Sequence, residues 1–303
     1  MLRVCALLCI VFIILNPNPD NMRLLTILLV FMLTAGVSFA QTDSLTFKRV
    51  EWETKRIAPG IHLKQAWFRS KSLFKSNQFI SVLEIKPRRK NKISIAYEAK
   101  LKRITSDFGG RNQALAAING TFFDVKNGGS VDFIKANGQV INENRLEKNN
   151  TRARHQQAAL VIKDGTLHID EWDGSPDWEQ KLDGQDIMLT GPLLWHNDKQ
   201  ASLDSNSFNV TRHPRSAMAI TDNNRVLMIA VDGRDANSAG VSLFELRRIL
   251  HWLHCRDGVN LDGGGSTTLW VQNQGVVNYP SDNGKWDHKG QRKVANVVLV
   301  KRN

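Results

Sequence analysis

Cysteine is nearly absent from this 303-residue chain: of three, Cys5 and Cys9 fall in the apolar N-terminal stretch, leaving Cys255. No intrachain disulfide is then possible beyond residue 40, and the fold must stand on its apolar core. Also missing after residue 40 are internal repeats, low-complexity tracts and a Pro/Gly/Ser-rich linker, which excludes solenoids and favours one domain. His251 and His254 stand three apart on a predicted helix without the His-Glu-x-x-His form, so a zinc site of that kind is not indicated. Basic residues outnumber acidic ones by 41 to 29, but aromatics do not interleave with them, and nucleic acid is not an expected partner. The basic run Lys86, Arg88, Arg89, Lys90, Lys92 reads as a solvated loop or an edge-strand guard.

Long apolar runs are short of what a membrane needs. Val4 to Leu15 and Leu24 to Phe39 are each brief for a span of about 20 residues. Met22-Arg23 precedes the second stretch and Ser38-Phe39-Ala40, a small-x-small cleavage site, ends it. Residues 22–40 are therefore predicted to be a secretory signal peptide, with residues 1–21 upstream of the true start. A signal anchor or a hairpin of two membrane helices is the competing account. On the first reading residues 41–303 form one exported domain, periplasmic or secreted, without stable membrane insertion after signal cleavage. A basic exported protein suits polyanionic surfaces or phosphorylated substrates.

The patterning predicts an α+β fold: a single domain of mixed, largely antiparallel twisted sheet with a C-terminal strand-helix-strand crossover. Residues 45–100 alternate apolar and polar positions with the period of half-buried strands, as in Gln78 to Ile85. Thr105 or Ser106 is a candidate cap for a short helix reaching Gln113, and Leu115 to Ile118 reads as a buried strand. Gln157 to Lys163 and Gly165 to Ile169 are further strands joined by an Asp164-Gly165 hairpin turn, followed by Asp186 to Leu189. Arg225 to Val231 is a strand; Ser242 with Glu245 forms a capping box; Leu243, Leu246, Ile249, Leu250 and Leu253 line one helix face. Cys255 is expected late in that helix, Asp257-Gly258 at its end, and Val259 to Leu261 in the next strand, a crossover between parallel neighbours.

Three strand ends share a grammar: Asn119-Gly120, Asp232-Gly233 and Asp262-Gly263. Each sets an amide or carboxylate where a strand emerges, then a glycine that lets the chain turn; an Asx turn is the plain alternative at each. The third opens the run Gly263-Gly264-Gly265-Ser266-Thr267. Three glycines in a row suit a backbone that must approach a ligand closely, and their amides with the two hydroxyls can hold an anionic oxygen. A simple glycine turn between strands is the rival reading. Arg215 and Arg234, near the other strand ends, offer planar donors to carboxylate or phosphate.

The ordered motifs Asn-Gly-Thr-Phe-Phe-Asp (119–124), Arg-His-Pro-Arg-Ser (212–216), Val-Asp-Gly-Arg (231–234), Ser-Ala-Gly-Val-Ser (238–242) and Leu-Asp-Gly-Gly-Gly-Ser-Thr-Thr-Leu (261–269), with a closing Arg-Lys-Val-Ala-Asn (292–296), resemble the phosphodiester glycosidase family. The resemblance covers residues 115–300 and implies a glycosidase acting on a sugar-1-phosphodiester or phosphorylated glycan. His213 sits where the family pattern varies and is given little weight.

Cleaving a sugar from a phosphodiester needs positive charge on the phosphate, oxyanion-type donors, and a carboxylate for the oxocarbenium-like centre or for water. Arg215 and Arg234 are assigned to the phosphate, with the amides of Gly263, Gly264 and Gly265, Ser266 and Thr267 as neutral donors. Asp262 and Asp232 lead as carboxylates, with Asp124 third; Asn119 and Gly120 line the substrate. No obligatory cofactor or metal is assigned, Mg2+ or Ca2+ held by the aspartates being the competing route. Two further readings stand beside this one: a non-catalytic envelope module binding phosphorylated glycans, and a phosphodiesterase cutting the other P–O bond.

Overall fold

The computed structural model describes residues 42–147 and 151–302. The expected leader lies outside these. Compact units divide at residue 49: in the first, residues 42–49 are helical rather than extended; the second runs from Val50 onward.

The second unit is built on antiparallel strand pairs. An eight-stranded sheet runs in the order Glu53–Ala58, Ile61–Leu73, Ser76–Ile85, Val226–Val231, Arg215–Thr221, Cys255–Asn260, Leu193–His196, Lys199–Gln200. One five-stranded sheet orders Thr166–Glu171, Ala158–Lys163, Asp186–Thr190, Ile134–Ala136 and Gln139–Asn142. A second orders Gly275–Val276, Leu269–Val271, Ala116–Asn119, Asn296–Arg302 and Asn91–Tyr97. Inward-facing aliphatic side chains from all three, among them Leu83, Ile118, Leu160, Met218, Val259 and Val298, meet in one core. Burial of that continuous area supplies the main drive to fold. The α+β, largely antiparallel architecture expected from the patterning is present. Among the described residues no helix is long and apolar enough to cross a membrane.

Local chemistry explains the element boundaries. Asp164 (φ 53°) and Gly165 (φ 75°) both occupy the left-handed region that a tight two-residue hairpin requires. Helix Leu243–Trp252 starts at the expected capping box: Glu245 N–H donates to Ser242 Oγ at 3.1 Å, and Ser242 N–H to Glu245 Oε2 at 2.9 Å. It stops sooner than expected, because His254 turns left-handed (φ 58°) right after the C-cap. Cys255, Asp257 and Gly258 consequently belong to the next strand, and burial pushes the Cys255 thiol up. Helix Thr105–Arg111 has neither Thr105 nor Ser106 as its cap; Ile104 holds that position, and Ser106 N–H donates to Gln291 Oε1 at 3.0 Å. The basic stretch from Lys86 to Lys90 is an exposed loop.

The crossover is present with one change. Strands Val226–Val231 and Cys255–Asn260 run parallel but are not neighbours, because Arg215–Thr221 lies between them, antiparallel to both. That insertion matters for function. Its first residue, Arg215, pairs with Val231, so the start of one strand and the ends of two others meet at the same edge.

Candidate active site

Three chain segments are stitched together at that edge. Leu261 N–H donates to Ser216 O (2.9 Å), Asp262 N–H to Gly120 O (3.0 Å), and Gly264 N–H to Pro214 O (2.8 Å). Asn119 is the staple behind them. Its Nδ2 donates to Asp262 O at 2.6 Å, and its Oδ1 accepts from Ser216 Oγ at 2.6 Å and Thr268 N–H at 3.1 Å. Fully buried, Asn119 spends its Oδ1 and one Nδ2 hydrogen on holding these segments together. Gly120 is a packing glycine: a Cβ there would meet Asn296 Oδ1 at 2.2 Å.

The glycine run forms a tight 3-10 turn over Gly264–Ser266. A Cβ on Gly263 would lie 2.7 Å from Pro214 O, and Gly264 adopts φ 63° with Arg234 Nη2 2.8 Å from where its Cβ would be. Side chains are excluded at both positions by close approach and by backbone conformation. Of the three amides, Gly263 N–H donates to Asp262 Oδ1 (2.9 Å) and Gly264 N–H to Pro214 O, while Gly265 N–H meets no acceptor among the described residues. The Ser266, Thr267 and Thr268 hydroxyl oxygens are buried without a hydrogen bond. Orphaned buried hydroxyls beside a free amide call for a polar ligand.

Three guanidiniums surround this turn. Arg234 is exposed, stands over Gly264, and has no hydrogen bond or ion pair among the described residues. Arg215 is buried; its Nε donates to Val241 O (3.2 Å) and its Nη2 to Phe208 O (2.6 Å) and Thr211 O (3.1 Å), over the Phe208 ring at 4.6 Å. Its fork is therefore not free for bidentate recognition, although among the described residues no carboxylate pairs with it. Burial and the field of Arg234 pull its guanidinium down to about 10. The third, Arg292, packs against Gly265 and is held by Asp282 at 2.9 Å through Nε. His213 joins them: burial, then Arg215 and Arg234, hold its imidazole below its ordinary value.

The carboxylates expected at the site part company. Asp262 is half-buried at the turn, with Ser266 Oγ beside it short of a well-formed hydrogen bond. Desolvation pushes its carboxyl up to about 6; Ser266, the Gly263 amide and Arg292 pull the other way, and Asp132 adds a like charge. Asp232 points inward and is fully buried, its Oδ1 accepting from Asn278 Nδ2 (2.8 Å) and its Oδ2 from Tyr279 N–H (3.0 Å). Desolvation pushes it up to about 7 against those two donors. Asn278 Nδ2 also donates to Thr267 O (3.1 Å), so Asp232 braces the glycine turn from behind. Asp124 caps its own turn, Oδ1 accepting from the Lys126 and Asn127 amides, and these bonds hold its carboxyl far below the usual range.

Three features of the site carried no assigned role in the sequence reading. Arg292 with Asp282 closes one side. Phe122 and Phe208, 6.2 Å apart, form an aromatic rim. Buried Asp132 accepts from Thr121 Oγ1 (3.0 Å) and Gln156 Nε2 (3.1 Å), and His155 Nε2 lies 3.2 Å from its Oδ1. Of these, Thr121 and Phe122 belong to the Asn-Gly-Thr-Phe-Phe-Asp run and Arg292 opens the closing Arg-Lys-Val-Ala-Asn run. Among the described residues, no three His, Cys, Asp or Glu side chains gather as ligands for a metal ion.

Comparisons with known proteins bear on the family and the fold. A family model described as phosphodiester glycosidase matches residues 112–301. N-acetylglucosamine-1-phosphodiester alpha-N-acetylglucosaminidase of Bos taurus is 27% identical over 196 residues, covering 61% of this chain and 36% of that protein. The Homo sapiens protein of the same name is 26% identical over 201 residues, covering 61% and 37%. The chain thus spans little more than a third of the length of these relatives. Among solved structures, the zebrafish N-acetylglucosamine-1-phosphodiester alpha-N-acetylglucosaminidase catalytic domain, auto-inhibited by its pro-peptide, superposes with TM-score 0.62 at 18% identity, over 86% of this chain and 94% of that one. A hypothetical protein from Synechocystis gives TM-score 0.62 at 15% identity, over 84% and 64%. At these identities the structural likeness speaks to the fold.

Proposed function

The chain belongs to the phosphodiester glycosidase family, and from that premise we propose that it hydrolyses the sugar C1–O bond of a sugar-1-phosphodiester, releasing free sugar and a phosphomonoester. The observation that carries this is Arg234, without a hydrogen bond or ion pair among the described residues, standing over Gly264 two positions after Asp262. An exposed guanidinium with no carboxylate, next to a second that none neutralises, is a seat for an anion. The phosphate sits there, met by Arg234, the Gly265 amide and the orphaned hydroxyls, with Arg215 contributing field rather than a fork. Asp262, ionised above about pH 6, faces the anomeric carbon and stabilises its oxocarbenium-like charge. Asp232 and Asn119 hold the turn rather than touch substrate, and Asp124 belongs to the scaffold. The phosphate leaves as a weak base, so the site needs little general-acid help.

N-acetylglucosamine is the first sugar to test, because the mammalian relatives are named for its 1-phosphodiester. Export from the cell, on the leader reading of residues 1–40, belongs to the same proposal. The deciding assay identifies products from N-acetylglucosamine 1-(methyl phosphate). Free sugar with methyl phosphate supports the glycosidase; N-acetylglucosamine 1-phosphate with methanol would make the protein a phosphodiesterase. Binding without any turnover would make it a glycan-binding module. Asp262→Asn turning over at the wild-type rate would remove that residue from the mechanism.

A further inference from the structure

The reaction consumes a water, and the phosphate seat leaves that water without a base. Asp262 is not the only group able to act at this edge of the sheets. Three independent chains of contact converge on His155. The first starts at Asp262, whose amide donates to Gly120 O; the adjoining Thr121 donates through Oγ1 to Asp132, whose carboxylate meets His155 Nε2 at 3.2 Å. The second starts two residues before Asp262: Asn260 Nδ2 donates to Gly191 O at 2.9 Å, and Gly191 packs so closely on the His155 backbone that a Cβ there would lie 3.1 Å from His155 Cα. The third comes from the arginine side, where Arg215 lies over Phe208, Phe208 lies 6.2 Å from Phe122, and Phe122 packs on the His155 ring at 4.7 Å.

The imidazole's protonation follows from its neighbour. With a carboxylate oxygen 3.2 Å from Nε2, the tautomer assigned to the neutral ring carries its proton on Nε2 and leaves the Nδ1 lone pair outward. Nδ1 has no hydrogen bond among the described residues, on a side chain that is 31% exposed. Asp132, by contrast, is fully buried and held by Thr121 Oγ1 and Gln156 Nε2, which fixes the carboxylate beside the ring as a buried carboxylate is fixed behind a catalytic histidine.

We propose that His155 is the catalytic base of the site and that Asp132 is its positioning residue, a deepening that rests on the glycosidase reading above. In the water-consuming step a water oxygen bonds to the anomeric carbon. The bond from that carbon to the phosphate oxygen breaks, its electron pair leaving on the phosphate. The water proton passes to His155 Nδ1, and Asp132 stabilises the resulting imidazolium through Nε2–H. Asp262 supplies the countercharge at the sugar, so the two carboxylates have separate duties.

The test uses N-acetylglucosamine 1-(methyl phosphate) with the wild type, His155→Ala, His155→Gln and Asp132→Asn, each checked for its thermal transition and for inorganic phosphate binding. In both His155 variants kcat should fall by about 10² to 10⁴ while KM and phosphate affinity stay within a few-fold. Added imidazole should restore turnover to His155→Ala and leave Asp132→Asn unchanged. Asp132→Asn should lose kcat rather than KM, since it keeps the shape but not the charge behind Nε2. Retention of kcat within threefold by a folded His155→Gln overturns the inference, as does a loss confined to KM. A wild type that releases no free sugar overturns the glycosidase reading together with this one; an active wild type beside an active His155→Gln overturns only this one.

Discussion

Replacing Arg234 by glutamine separates the anion seat from the scaffold that carries it. The guanidinium is exposed, with no hydrogen bond or ion pair among the described residues, and it stands near a second cation, Arg215. Losing it removes no stabilising contact and relieves a like-charge repulsion, so folding stability should stay within about 0.5 kcal/mol. At about 2–4 °C per kcal/mol for a unit of this size, Tm should move by less than roughly 2 °C. Substrate should feel the change strongly. A hydrogen bond from a charged donor is worth about 1.5–3 kcal/mol, so kcat/KM should fall roughly 10- to 150-fold. The same substitution has a readout that needs no substrate. Arg234 is one of the cations holding His213 below its ordinary value, so in Arg234→Gln the imidazole must titrate at higher pH, which NMR of the ring protons would follow. A kcat/KM within threefold of wild type would refute the phosphate role. A fall in Tm of more than about 5 °C would instead mean that Arg234 is part of the scaffold.

Other expectations follow from the same geometry. Asp262 must be ionised to serve the anomeric centre, and burial raises its carboxyl to about 6, so kcat/KM should hold above that pH and decline as pH falls through it. Asp262→Asn should lose kcat by 10² or more together with that acidic limb. Gly264→Ala combines a left-handed backbone (φ 63°), costing about 1–2 kcal/mol for a residue with a Cβ, with displacement of Arg234 Nη2; Tm should drop by a few degrees and kcat/KM should fall with it. Asp124→Ala should leave kcat/KM within twofold while lowering Tm. The Asp124 carboxyl is depressed in the folded state, so its stabilisation is present above the ordinary carboxylate range and fades on acidification; the gap in Tm between variant and wild type should shrink at low pH.

Local rules carried a sequence reading far at some places and nowhere at others. The Asp164-Gly165 hairpin and the Ser242 and Glu245 capping box stood out because both are decided by residues within three positions of each other. The end of helix Leu243–Trp252 did not, since His254 gives no compositional sign that it will turn left-handed. Asp132 and His155 were invisible for a different reason. Each reaches the site through contacts that join distant parts of the chain, such as Asn260 to Gly191 to His155, and no pattern in one segment records them. The crossover strands were legible as parallel, but the strand inserted between them was not, and that insertion is what brings Arg215 to the edge.

The three Asx-Gly strand ends make the same point within one grammar. At each, glycine frees the backbone to turn, but the partner that the Asx side chain meets is set by what comes after. Beyond Asp262 the chain winds at once into the Gly264–Ser266 turn, whose Gly263 amide caps Oδ1 and leaves the carboxyl half-buried beside guanidiniums. Beyond Asp232 it doubles back, Ser238 Oγ donating to Asp232 O at 2.7 Å, and the carboxyl is left facing inward to Asn278 and Tyr279. Asn119 has donors on one side and acceptors on the other, so an amide fits where a carboxylate would face the Asp262 carbonyl without a proton. One carboxylate is therefore left to face a substrate, and the inward one keeps the turn from moving when the anion arrives. If that division holds, Asp232→Asn should act through the turn: its amide must set an N–H against Asn278 Nδ2 or Tyr279 N–H, losing one hydrogen bond. Substrate affinity and Tm should fall together in that variant, whereas Asp262→Asn should lose kcat with Tm nearly unmoved.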